Sequence, residues 1–417
     1  MLPDEWSTPP LAELSRKPIS YGIVQTGEPV AYGVRCIRVV DITKSQINPE
    51  DFITTSPEIS QSYQRTVLED GDVILALRGE IGCCLRVTGN LVGCNLTRGL
   101  ARVAPKHDRV DPSFLTQVLR SPFMQRVFDQ KKNGSALQEI SIGELRRLPV
   151  PLPPLDEQRR IVSVLSTWDR AIALTEKLIA AKRQRKAALM QHLLTGKVRF
   201  KRFVRSAETT PTLYGEIPKD WRYLPIAEVA EEVSERNKGG TSHQVLSCTK
   251  YDGLVDSLAY FGRQIFSDDL ATYKVVRRGQ FAYATNHIEE GSIGYQNVCD
   301  TAVISPMYTV FKTTDRVDDG FLYKVLKSNL YIHIYQVNTS ASVDRRGSLR
   351  WSEFSRIRVP VPALDEQRAI AEVIDAQQEE INLQRQKLDA LRRQKRGLMQ
   401  QLLTGKVRVG TDMQGVP

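Results

Sequence analysis

The chain lacks several things that would have decided its class at once. No apolar run in its 417 residues approaches the roughly 18 residues a membrane-spanning helix needs. The opening Met1-Leu2-Pro3-Asp4-Glu5-Trp6 has no basic region followed by an apolar one, and a cytoplasmic protein is expected. Six cysteines, at 36, 83, 84, 94, 248 and 299, show no paired metal-ligand spacing, and buried free thiols are expected of them. Five histidines, His107, His192, His243, His287 and His333, are scattered without a metal pattern. Gly196-Lys197 and Gly405-Lys406 resemble the end of a phosphate-binding loop but have neither the earlier glycines nor a following Ser or Thr, so they read as helix stops. Asp111-Pro112-Ser113-Phe114 faintly resembles an amino-methyltransferase motif, yet its counterpart is Asp318-Asp319-Gly320-Phe321, and a helix start explains both. No carboxylate cluster with a nearby lysine marks a nuclease. These absences favour a binding protein over an enzyme, with no metal and no cofactor held by this chain.

What the chain does have is a repeat. Residues 151–199, running through Leu155-Asp156-Glu157-Gln158-Arg159 to Leu193-Leu194-Thr195-Gly196-Lys197-Val198-Arg199, return at a constant offset of 209 as Leu364-Asp365-Glu366-Gln367-Arg368 to Leu402-Leu403-Thr404-Gly405-Lys406-Val407-Arg408. An unslipped register of this kind marks a duplicated structural unit. Apolar residues recur at three and four: Ile161, Leu165, Trp168, Ile172, Ile179, Leu189 and Leu193 in the first copy, and Ile370, Ile374, Ile381, Leu388, Leu391, Leu398 and Leu402 in the second. Each copy therefore reads as one long helix offering a narrow stripe to a partner helix. Prolines introduce both copies, Asp156 and Asp365 stand where an N-cap is expected, and Gly196 and Gly405 where the helix stops. A helix of that length is a ruler of about 58 Å.

The sequence between the helices is duplicated too, but it has diverged. Pro3 and Trp6 return as Pro218 and Trp221, at an offset of 215. Later landmarks match in pairs: the turn and apolar run at 71–76 against 279–284, the short helix around Phe114-Leu115 against Phe321-Leu322, and the exit at 142–145 against 351–354. Strand-like runs at 34–40, 99–103 and 307–311 alternate with Gly, Asn, Asp and Ser turns rather than with regular helices, which is an α+β pattern. The expected divisions are a first globular domain at 1–148, a helical spacer at 149–199, a linker at 200–216, a second globular domain at 217–357, a second spacer at 358–408, and a tail at 409–417.

The formal charge of +10 favours a polyanionic partner. Base edges are read by Arg or Lys on guanine, Asn or Gln on adenine, and Ser or Thr on either. The first domain offers Arg78, then Asn95, Thr97 and Arg98 in one turn, and Lys131, Lys132, Asn133 and Ser135 in a glycine-broken loop. The second offers Thr285, Asn286 and His287, then Asn338, Ser340, Arg345 and Arg346. Basic members could equally touch phosphates, which position without specifying.

Two divergent globular domains alternate with two near-identical helices. Each helix is introduced by a proline-rich Leu-Asp-Glu-Gln entry and closed by Leu-Leu-Thr-Gly-Lys. This order resembles the specificity subunit of type I restriction-modification systems over essentially the whole chain. The resemblance implies two target recognition domains, each reading half of a bipartite site in double-stranded DNA, with the two helices forming an antiparallel coiled coil that sets the gap. It implies docking of two modification subunits that carry S-adenosylmethionine and methylate adenine N6, and restriction subunits that use ATP and Mg²⁺ to translocate and cleave. The competing expectation is a coiled-coil scaffold protein whose basic surface is incidental.

Overall fold

A computed structural model describes residues 2–44, 47–132, 138–238, 243–340 and 348–409, without the side chain of Ser340. The chain forms two compact units, one made of residues 1–177 with 385–417 and the other of residues 178–384. The repeated sequences form the two long helices Leu155–Leu194 and Leu364–Leu402. Each helix gives its first part to one unit and its last part to the other, so neither spacer is a separate body. At about 1.5 Å per residue, the 40 residues of the first helix make a rod on the order of 60 Å long. The Asp residues expected as N-caps lie inside the first turn instead, because helix starts at Leu155 and Leu364. There the carboxylates face the positive end of the helix dipole without capping it. Gly196 and Gly405 do end the helices, with φ of 71° and 70°, a conformation that costs glycine nothing.

In the first unit a four-stranded antiparallel sheet runs in the order Ser20–Tyr21, Leu100–Val103, Val73–Ala76, Cys84–Arg86. A second sheet has Ile53–Thr55, Val34–Ile37 and Asn95–Leu96, the last two parallel. The run at 34–40, read as a single strand, stops at Ile37, and Val39–Ile42 turns helical. Helices Pro112–Arg120 and Pro122–Lys131 cover the first sheet, capped by Asp111 and Ser121. The core joins Val73, Leu75, Phe114 and Leu145 to Ile161 and Leu165 of one long helix and to Met399, Leu402 and Leu403 of the other.

The second unit repeats this plan. Ala230–Val233, Tyr308–Thr313, Phe281–Ala284 and Ile293–Tyr295 form the first sheet, and Gly253–Asp256, Val245–Thr249, Thr301–Ile304 and Lys274–Arg277 the second. Its core joins Phe281, Phe311 and Phe354 to Leu193 and Leu194 and to Ile370 and Ile374. The stretch at 200–216, read as a linker, carries a short 3-10 turn and most of a hairpin between Thr209–Thr212 and Gly215–Pro218.

Within each unit the helical segments run antiparallel. In the first, Lys395 Nζ meets Asp169 Oδ1 at 2.6 Å and Arg392 Nη2 meets Glu176 Oε1 at 2.7 Å. In the second, Lys182 pairs with Glu380, and Lys186 Nζ donates to Gln378 Oε1 at 2.7 Å. The seam is as expected in kind: Ile161, Leu165, Ile179, Leu193, Ile370, Ile374, Ile381, Leu388 and Leu402 are buried, and Trp168, Ile172, Leu189, Leu391 and Leu398 are half-buried. All six cysteines are free, three of them buried and three half-buried. Among the described residues no helix is long and apolar enough to cross a membrane.

Candidate nucleic-acid interface

The repeated Glu-Gln pair explains how each globular domain is held. In the first unit Gln158 donates to the carbonyls of Arg109 and Pro153, and its Oε1 accepts from the amide of Asp111 at 2.8 Å. In the second Gln367 makes the same three bonds, to Arg316, Pro362 and the amide of Asp318. Glu157 accepts from Trp6 Nε1 at 3.1 Å and from Arg408 at 2.6 and 2.8 Å. Glu366 accepts from Trp221 Nε1 at 3.1 Å and from Arg199 at 2.8 Å twice. Burying a carboxylate is costly unless it is paired and hydrogen-bonded, and both of these are. A Cβ on Gly405 would come within 2.4 Å of Pro3 Cδ, and one on Gly196 within 2.4 Å of Pro218 Cδ. Glycine is thus required twice over at each helix end, for its φ and for the close approach of the proline. Each joint fixes the pose of a globular domain against its helical pair, and each is built from the motifs that repeat most faithfully. Their faithful repetition follows, since every part touches another part.

The candidate base-reading residues lie at one edge of each domain, where the strands of the sheets give way to turns. In the first unit Asn95–Leu96 leads into Thr97 and Arg98, and Val73–Ala76 into Arg78. Arg98 is exposed and has no side-chain partner among the described residues, while its amide donates to Ile23 O at 2.8 Å. Thr97 is half-buried and its hydroxyl donates to Ile37 O. Arg78 is paired with Glu139 at 2.7 Å. Asn95, expected as a base reader, is instead 0% exposed, its amide nitrogen donates to Ser60, and its Oδ1 accepts from Thr66 Oγ1 at 2.7 Å. A side chain with its hydrogen bonds made inside the core cannot reach a base edge. Nothing in sequence distinguishes it from Thr97 and Arg98, because all three belong to one polar run.

Lys131 pairs with Glu144 at 2.5 Å and Lys132 with Asp129 at 3.0 Å. Such pairs are worth about 0–1 kcal/mol, so either lysine exchanges its partner for a phosphate at little cost. Asn133, Ser135, Arg345 and Arg346 lie outside the described residues.

In the second unit Phe281–Ala284 leads into Thr285, Asn286 and His287. Thr285 Oγ1 lies 3.0 Å from Met307 O and 3.4 Å from Asn286 Oδ1, and His287 Nδ1 lies 3.5 Å from Glu290 Oε1. The histidines read as scattered therefore include one with neighbours, since ligand-type atoms of His287, Glu289 and Glu290 lie within 4.8 Å of one another. Helix Asn329–Ser340 packs beside this turn, with Gln336 Nε2 donating to Glu289 O at 3.2 Å. Asn338, on its last turns, is exposed and donates to Ile334 O. Ser340 closes the helix. The structure thus brings 285–287 and the end of that helix to one neighbourhood, and places Arg78, Thr97 and Arg98 at the matching edge of the first unit.

Sequence reasoning missed a tyrosine at this edge, Tyr251, on the turn after Val245–Thr249. Its signal was available: an aromatic between Lys250 and Asp252-Gly253, in a place where turns are ordinarily polar.

The chain is similar to known proteins. Residues 31–181 match a family model described as the type I restriction modification DNA specificity domain. The specificity subunit of the type I restriction enzyme EcoBI from Escherichia coli is 30% identical over 164 residues, 39% of this chain and 34% of that protein. The match thus spans about a third of that relative's length. The MjaVIII specificity subunit of Methanocaldococcus jannaschii is 25% identical over 340 residues, 75% of this chain and 74% of that protein. Among solved structures, a chain from work on complex assembly and conformational transition of the type I R-M system superposes with a TM-score of 0.58 at 18% identity, covering 98% of this chain and 100% of that one. The shared fold extends over the whole chain.

Proposed function

We propose that this chain, a specificity subunit of the type I restriction-modification family, is a sequence-specific DNA-binding subunit that directs such a complex to a bipartite site. The turn edge of each globular domain reads one half-site, and the paired helices set the gap and dock two modification subunits. One observation carries the reading. The two joints repeat bond for bond, while the reading edges differ at matching places: Arg78, Thr97 and Arg98 on one stand where Asn286, Ser305 and Pro306 stand on the other. Two different half-sites read from one scaffold require this combination, because recognition elements must enter their grooves in fixed register.

The chain itself is non-catalytic. S-adenosylmethionine, ATP and Mg²⁺ belong to the modification and restriction subunits, and the assembled complex works on DNA in the cytoplasm. The test is selection from a random duplex library by this chain assembled with its modification subunits. A split motif is expected, and recovery of unselected duplexes would favour the scaffold reading instead. Lengthening both helices by one heptad at their middles is expected to shift the preferred gap while leaving both half-sites intact. An unchanged gap would remove the helices from that role.

A further inference from the structure

The turn that carries Tyr251 is braced from three sides. Thr249 Oγ1 accepts from the amide of Asp252 at 3.0 Å and donates to Gly253 O at 3.2 Å. Gly253 has φ 70°, and a Cβ there would come within 2.6 Å of the Tyr323 hydroxyl oxygen. The half-buried Lys327 ammonium donates to the carbonyls of Thr249, Gly291 and Ile293. At the tip of this rigid turn Tyr251 is 78% exposed, with the Lys250 ammonium 5.5 Å from its ring centroid. A single exposed ring is ordinary in itself. This one is distinguished by its neighbours, since Lys327 ties its turn to the end of the loop that bears Asn286 and His287. Asp252, the nearest carboxylate on the turn, is engaged by the Tyr260 hydroxyl at 3.2 Å.

We propose that Tyr251 is a stacking residue for the second half-site: its ring enters at a base step beside the bases read by Asn286 and His287, and Lys250 meets the adjoining phosphate. The proposal rests on the DNA-reading function given above. Aromatic and apolar wedges at base steps unstack the duplex and favour steps that kink easily, which gives selectivity at a position no hydrogen bond reads. Among the described residues the first unit has no matching ring. Where Val34–Ile37 ends, Arg38 follows, held by Asp41 at 3.0 and 2.8 Å.

The experiment uses the full chain assembled with its modification subunits and duplexes of the selected site, with 2-aminopurine placed in turn at each step of the second half-site. The wild-type complex is expected to raise fluorescence at one step. Tyr251→Ala is expected to abolish that rise and weaken binding about tenfold, in line with the loss of one stacked ring, with selectivity at the first half-site unchanged. Tyr251→Trp and Tyr251→Phe are expected to keep both. Wild-type fluorescence and affinity in Tyr251→Ala would overturn the proposal, as would impaired assembly with intact DNA binding, which would make the ring a protein contact. A wild-type complex that selects neither half-site would overturn the DNA reading itself, whereas selection indifferent to Tyr251 overturns only the stacking role.

Discussion

The two units share one plan but fill it with different chemistry. At matching places in the first sheet, Val73 opposite Val103 in one unit becomes Phe281 opposite Phe311 in the other, whose rings stack at 4.9 Å and 13°. Arg102, 2% exposed, is held by Asp72 at 2.6 Å, and the matching positions of the second unit are Val310 and Gln280. The first unit thus buries an ion pair beside aliphatic side chains, while the second buries an aromatic cluster that Tyr283, Trp351 and Phe354 extend. The joints, by contrast, are the same in both. Divergence is tolerated where a side chain answers only to its own domain, and it is resisted where helix, proline, tryptophan and glutamate must all fit together.

The largest expected effect breaks the comparison at the buried ion pair. Asp72→Ala strips Arg102 of its buried partner and leaves it only the exposed Glu69 carboxylate at 3.1 Å, and is expected to cost about 3 kcal/mol in chemical denaturation, seen in the transition of the first unit. Combining Asp72→Gln with Arg102→Val, the pattern of the second unit, is expected to recover most of that loss, because a well-packed apolar replacement is often neutral. No recovery would mean that the two sheets are not equivalent at these positions.

Next are the joints. Each arginine binds a second carboxylate, Asp220 for Arg199 and Glu5 for Arg408, but the Arg199 side chain is 7% exposed and covers Trp221, whereas that of Arg408 is 40% exposed. Arg199→Ala is expected to cost about 3 kcal/mol and Arg408→Ala clearly less, as measured by the separate thermal transitions. Equal losses would contradict the difference in burial. At the reading edges Arg98→Ala is expected to relax only the first half-site and Asn286→Ala only the second, by about 1–3 kcal/mol per bidentate contact, read by competition between single-base variants of the selected duplex.

The smallest effect is acid sensitivity. Hydrogen bonds from Lys17 and Arg16, and then Arg102, hold the Glu69 carboxyl down at about 2 against an ordinary 4.5. A carboxylate with a depressed folded pKa stabilises above its unfolded value, and that stability is lost as pH falls from about 4.5 towards 2. Arg277 occupies the matching place in the second unit, so the part of the loss that comes from Glu69 is expected in the first unit's transition alone. Glu69→Gln is expected to flatten it.

What could be read from sequence follows the same division. The helices, their stops, the paired landmarks and the seam repeat, so each copy vouches for the other. The roles of Glu157 and Gln158 were not legible, because their partners, Trp6, Arg408, Arg109 and Asp111, lie at distances in sequence that no local pattern records. Asn95 is hidden for a related reason: polar character in a turn cannot tell a buried amide bonded to Ser60 and Thr66 from an exposed side chain. Arg98, three residues on, has the same local context and the opposite environment. Swapping of helix ends between units was also beyond the repeat itself, since antiparallel pairing leaves no mark in either copy.

The central claim is that two reading edges on one scaffold specify two half-sites, and adenine methylation mapped by long-read sequencing tests it most directly. Cells carrying this chain with its partners would be compared with cells carrying Arg98→Ala, cells carrying Asn286→Ala, and cells lacking the gene. The account predicts a split methylated motif that vanishes on deletion, with Arg98→Ala degenerate only in its first half and Asn286→Ala only in its second. A motif whose halves loosen together, or methylation that persists without the gene, would contradict it.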